Sequence, residues 1–123
     1  NDYQNHVEQL KTAPLTYLLS IADSYPVHVD IKTPDNFVRG CKNYIWFSSC
    51  QLGDTYNFKF ASGSKISLGM CIILGTYLSG KTAEQILAVK YNNLKDFTRF
   101  LPGERQKGVQ AVLNRIHQSV NKT

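Results

Sequence analysis

The feature that most constrains the fold is a change of apolar period partway along the chain. From Asn43 to Cys50, Tyr44, Trp46 and Ser48 alternate with Ile45 and Phe47, and in "YNFKFAS" Tyr56, Phe58 and Phe60 alternate with Asn57 and Lys59. A period of two marks strands with one buried face. "QLGDT" between them supplies a hairpin turn, with Gly53 and Asp54 suited to positive φ. After "SGS" the period becomes 3.6, and "SKISLGMCIILGTYLSG" is apolar almost all round, which predicts a central, enclosed helix closed by Gly80. A lone two-stranded ribbon is marginal, so a third strand is expected from the residues before Cys41.

Helical patterns surround this centre. Tyr3 to Lys11 is weakly amphipathic. Pro14 then suits a first helical turn, with Leu15, Leu18, Leu19 and Ala22 on one face and Pro26 as the stop. Thr82 and Gln85 have the spacing of a capping box. A short helix is predicted around Asn92 to Arg99, and a last amphipathic helix turns Val109, Val112, Leu113 and Ile116 inward. Together these give an α+β domain spanning residues 1–123, a small antiparallel sheet of about three strands packed on helices.

The charge bounds the partners. A formal net charge of +5 favours acidic partners, but the basic residues are scattered, with no run that would track a phosphate backbone and no RNA-recognition signature. No apolar run approaches the roughly 18 residues that span a bilayer. The cysteines, at 41, 50 and 71, are odd in number and lack CxxC spacing, which points to a reducing compartment rather than a disulfide framework. The chain starts at Asn1 and not Met, so a trimmed or processed form is expected, with any targeting segment upstream.

The same elimination narrows the chemistry. His6, His28 and His117 lie in different elements and have no zinc-type spacing to other ligands. Phosphate-loop, dinucleotide and nucleophile-elbow motifs are missing. "SGS" reads as a plain helix N-cap rather than an anion site. Cys71 lies inside the apolar helix and Cys50 closes a strand, both structural positions. Cys41 differs: it follows Gly40, precedes the first strand, and stands among Arg39 and Lys42, cations that favour a thiolate. A cysteine hydrolase would need a histidine base, and no familiar signature surrounds His28. Thiol exchange needs only an accessible, tuned thiolate and a docking surface.

"PDNFVRGCKNYIWF", with Val38, Gly40, Cys41 and Trp46, resembles the segment around the active cysteine of SufE-type proteins, the sulfur acceptors of iron–sulfur cluster assembly. "YLLSIADSYP", "SKISLGMCIILGTYLSGKTAEQIL" and "FTRFLPGERQKGVQAVLNRI" resemble the family's other helices in order and spacing, from about Leu15 to Ile116, with Arg105 and Gly108 opening the last one. The resemblance implies a SufE/IscU-like fold and no cofactor or metal in the chain itself. It implies that Cys41 takes persulfide sulfur from a pyridoxal-phosphate cysteine desulfurase of the SufS type, stimulates that enzyme, and passes sulfur to a SufBCD-type scaffold. Arg39, Gly40, Lys42 and Arg105 would form the thiolate environment, and Ser64 and Lys65 the partner-docking turn. Lys65 stands where the family often has an acidic residue, and Glu104-Arg105-Gln106 replaces its usual serines. The resting loop is expected to tuck Cys41 against apolar side chains such as Trp46 and swing out on docking. The chain would act as an accessory protein, a monomer or weak homodimer, in bacterial cytoplasm or a plastid-type stroma (apicoplast or chloroplast). Two alternatives remain open: an IscU-like cluster scaffold using all three cysteines, and a basic module that binds single-stranded nucleic acid through the sheet's aromatics.

Overall fold

Strand gives way to helix where the apolar period changes. The structure, a computed structural model, describes residues 2–121. Strands β1 (Ile45–Leu52) and β2 (Thr55–Ser62) pair antiparallel, with Phe47 opposite Phe60 and Leu52 opposite Thr55. The side chains of Ile45, Phe47, Tyr56 and Phe60 are buried, as the alternation requires. At the hairpin turn only Gly53 takes a positive φ, +63°, and Asp54 does not, a correction to the expectation that both would.

The helical layer packs on this buried face. Helix α1 (Asp2–Thr12) and α2 (Pro14–Asp23) precede the sheet, and α3 (Lys65–Leu78) follows it. Ser64 caps α3 by accepting from the Ser67 N–H. Ile73, Leu74 and Leu78 of α3 are fully enclosed. Helices α4 (Ala83–Ala88), α5 (Lys95–Thr98) and α6 (Gly103–Val120) complete the layer. Thr82 and Gln85 make the predicted capping box at the start of α4. On α6, Val109, Val112, Leu113 and Ile116 are all buried. The architecture is α+β with a three-stranded antiparallel sheet.

Two further expectations are corrected. The third strand does not come from the residues before Cys41. It is β3 (Lys81–Thr82), two residues paired with Thr55 and Tyr56 on the far side of β2. Before Cys41, a 3₁₀ turn at Pro34–Asn36 bends the chain, and Phe37 makes only a single bridge to Trp46. On α2, Leu18 and Ala22 are buried, but Leu15 and Leu19 are exposed, because the contact with α3 covers a narrower arc than the apolar stripe. No helix among the described residues is long and apolar enough to cross a membrane.

Candidate functional site

Gly40 adopts φ +90°, a conformation that L side chains rarely take, and its position faces the Ala111 side chain of α6. The turn therefore lays the next residue, Cys41, onto the start of α6. The Cys41 thiol is half-buried and points to the Gly108 carbonyl, with Sγ 3.7 Å from that oxygen. It lines a small cavity of about 120 Å³ together with Ile45, Met70, Ser67, Glu104 and Arg105. Burial raises the thiol's pKa above its ordinary value, so the resting form is protonated.

Two contacts from distant parts of the chain hold this turn, and Arg105 braces the second of them. Lys42 Nζ lies 3.2 Å from Glu104 Oε2, an exposed pair. Asn43 Nδ2 donates to Ser67 Oγ at 3.3 Å. Arg105 Nη1 donates to the same Ser67 Oγ at 2.6 Å and to Ser64 Oγ at 3.3 Å. Ser67 is buried in the first turn of α3, so its hydroxyl joins the Cys41 turn, α3 and α6 through one atom.

The residues singled out from the sequence separate as follows. Arg105 reaches the Cys41 cavity from α6. Lys42 lies at the cavity rim with its charge paired to Glu104. Arg39 lines a separate groove with Arg115 and Asn114, not the thiol cavity. The idea that flanking cations lower the Cys41 pKa is thus corrected for this state: desolvation dominates and the shift is upward. Ser64 serves as the α3 cap and as an acceptor for Arg105. Lys65 Nζ pairs with Asp23 Oδ1 on α2 at 2.5 Å. Trp46 does not shelter Cys41 either. It packs on Phe37 and Tyr44, with centroids 5.8 and 6.1 Å away, while Ile45 and Met70 line the cavity.

Asn43 and Ser67 were not foreseen at this site, and Glu104 and Gly108, singled out in the closing motif, were not placed beside Cys41. Cys50 is exposed on β1 and Cys71 buried on α3, where burial pushes its thiol pKa up strongly. Among the described residues no three His, Cys, Asp or Glu side chains come together as metal ligands. His6 bonds Tyr17 Oη through Nδ1 at 2.6 Å, and His117 Nε2 bonds the Ile86 carbonyl at 3.0 Å, so both are occupied structurally.

Comparison with known proteins gives the chain its relatives. A family model described as "SufE: Fe-S metabolism associated domain" matches residues 3–120. The chain is 31% identical over 94 residues to a protein named chloroplastic quinolinate synthase from Nicotiana tabacum. That match covers 75% of this chain but 13% of the tobacco protein, so the chain spans a small fraction of this relative. It is 29% identical over 113 residues to an uncharacterized SufE-like protein of Rhizobium etli, covering 83% of this chain and 74% of that one. A hypothetical protein of Thermus thermophilus, solved in solution, shares the fold with a TM-score of 0.70 at 20% identity, over 98% of this chain and 93% of that one. With the family model spanning nearly its whole length, the chain belongs to the SufE family of Fe–S metabolism associated domains.

Proposed function

We propose that the chain accepts sulfur on Cys41 from a cysteine desulfurase, stimulates that enzyme, and delivers the sulfur for iron–sulfur cluster assembly. The observation that carries this reading is the setting of Cys41: a thiol on a glycine-hinged turn, half-buried against Gly108, with no histidine among the described residues that line its cavity. Such a group suits thiol exchange, which needs neither a base nor a metal in the acceptor.

In the transfer step the Cys41 thiolate attacks the outer sulfur of the enzyme's cysteine persulfide. A new S–S bond forms on Cys41, the enzyme's S–S bond breaks, and the inner sulfur leaves as the enzyme's thiolate. No oxidant or reductant is consumed. The pyridoxal phosphate that releases sulfur from free cysteine belongs to the desulfurase, of the SufS type, and the recipient downstream is a SufBCD-type scaffold.

The closed turn explains how stimulation and protection are joined. While Cys41 rests on Gly108 it is a neutral thiol and a poor nucleophile. Release of the turn removes the desolvation that raises its pKa and exposes the sulfur to the partner. Lys42, freed from Glu104, and Arg39 then stand near an emerging thiolate. After transfer, reclosure withdraws the persulfide from small reductants. Ser64 and Ser67, joined to the cavity through Arg105, form the docking rim on the first turn of α3, with Lys65 beside them on the side paired to Asp23. The compartment is a plastid-type stroma or bacterial cytoplasm, with the tobacco relative's chloroplastic name supporting the former.

Intact-protein mass spectrometry after incubation with a SufS-type desulfurase and cysteine tests the assignment. One added sulfur that maps to Cys41 and vanishes in Cys41→Ser supports it. Sulfur on Cys50 alone, or on no cysteine, contradicts it.

A further inference from the structure

The groove beside the Cys41 turn carries charges that nothing in the described chain neutralises. It has a volume of about 600 Å³ and is walled by Arg39 and Gly40 of the turn and by Asn114, Arg115 and Gln118 of α6. Arg115 is half-buried and held in place. Its Nη2 donates to the Asp35 carbonyl at 2.7 Å, and the guanidinium lies 5.3 Å from the Phe47 ring centroid. A planar guanidinium fixed in this way keeps its other N–H donors in a set fork, which matches a carboxylate. Among the described residues no carboxylate pairs with it. Arg39 is exposed and has no counter-ion among them either.

Asp35 also lines the groove, and its carboxylate makes no ion pair among the described residues. The surface is therefore mixed, with two unpaired cations and one unpaired anion. A phosphate backbone brings a negative charge at every unit and would meet Asp35 with repulsion. A protein segment can set carboxylates on the arginines, a donor on Asp35, and backbone groups on the side-chain amides. Asn114 suits the last of these, because its Oδ1 already accepts from Gln110 and its amide N–H groups are left as donors.

We propose that this groove docks an acidic segment of the cysteine desulfurase, with carboxylates on Arg39 and Arg115. The inference rests on the reading of Cys41 as the acceptor and adds where the sulfur donor holds the chain. Two observations, besides the charges, favour the donor as the occupant. Groove and thiol cavity share one turn: Arg39 and Gly40 wall the first, and Cys41 and Lys42 line the second, so a partner that reaches Cys41 also meets the groove. The groove is open while Cys41 still rests on Gly108, so it is available to the first partner to arrive, the one that brings sulfur. A carboxylate held by Arg39 bears on the residue just before the Gly40 hinge, where φ is +90°, and so couples docking to release of the turn.

Titration calorimetry of the full chain against a SufS-type desulfurase, at low and high salt, tests this. Arg39 holds nothing else among the described residues, so Arg39→Gln leaves the fold alone and is expected to raise Kd about threefold. Arg115→Gln is expected to raise it about tenfold, with an unchanged circular dichroism spectrum showing that the fold survives. Lys95→Gln removes the same charge from an exposed site on α5 and is expected to leave Kd unchanged. Added salt should weaken the unaltered protein more than the double arginine variant. The proposal is overturned by a Kd that Arg39→Gln and the double variant leave unchanged, or that Lys95→Gln raises as much as Arg39→Gln does. It is also overturned if a short oligothymidylate binds through the same two arginines more tightly than the desulfurase does. Arginine-dependent binding with no sulfur reaching Cys41 keeps the docking site and removes the acceptor reading. Arginine-independent binding with sulfur on Cys41 does the reverse, and no binding at all removes both.

Discussion

Cys41 is recognisable from its neighbours in sequence, but its chemistry is set by residues more than 60 positions away. Adjacent side chains in an irregular turn point in different directions, so Arg39 and Lys42 do not act as a pair on the thiol. Glu104 and Gly108, which pair Lys42 and accept from Cys41, belong to α6, and no local pattern announces such a contact. Arg105, whose nearness depended entirely on the fold, lines the cavity along with Lys42, whose charge is paired to Glu104. Because burial keeps Cys41 protonated, its alkylation by iodoacetamide at pH 7 should be slower than that of exposed Cys50, as peptide mapping would show. The exposed Lys42–Glu104 pair contributes about 0.5 kcal/mol, so Glu104→Gln should speed Cys41 alkylation roughly twofold. Ser67→Ala removes the acceptor shared by Asn43 and Arg105. It should lower stability to denaturant by about 1–3 kcal/mol and speed alkylation more than Glu104→Gln does. Equal alkylation rates in all three proteins would mean that these contacts do not hold the turn.

Elements with a long, clean period were legible, and those made by one or two contacts were not. The hairpin, α3 and α6 follow from periods of two and 3.6, and the α4 cap from Thr82 and Gln85. The two-residue β3 carries no periodicity of its own and forms because Gly80, donating to the Tyr56 carbonyl, delivers the chain to the edge of β2. Likewise, Pro34 and the 3₁₀ turn after it prevent residues before Cys41 from extending the sheet beyond one bridge. Two glycines of α3 show how tightly the elements meet. A Cβ at Gly69 would lie 2.6 Å from the backbone oxygen of Leu18, and one at Gly75 would lie 2.6 Å from the Phe60 ring. Alanine ordinarily gains about 1 kcal/mol over glycine in a helix. Here Gly69→Ala should instead destabilise by about 1–3 kcal/mol, since α2 must move as a unit. Gly75→Ala should cost less, because a ring can turn where a backbone cannot. Urea denaturation of both variants checks the order, and a stabilised Gly69→Ala would contradict the packing.

Over the whole molecule, α1 and α6 are tied down partly through neutral histidines. Desolvation lowers the pKa of His6 despite Asp2, and it lowers that of His117 despite the carbonyls of Ile86 and Val89. With the folded values below the unfolded one, the unfolded chain binds more protons at mildly acid pH, so stability falls as pH drops below about 6.5. The melting temperature should therefore decrease between pH 7.5 and 5.5, and less steeply in His6→Gln. That fold, shared along nearly its full length with the SufE family, carries the chain's part in Fe–S metabolism. Whether Cys41 takes the sulfur is tested by cysteine-desulfurase turnover measured with a SufS-type enzyme alone, with this protein, and with its Cys41→Ser and Cys50→Ser variants. Stimulation is expected from the unaltered protein and from Cys50→Ser, and none from Cys41→Ser. Stimulation that survives Cys41→Ser would rule out Cys41 as the acceptor.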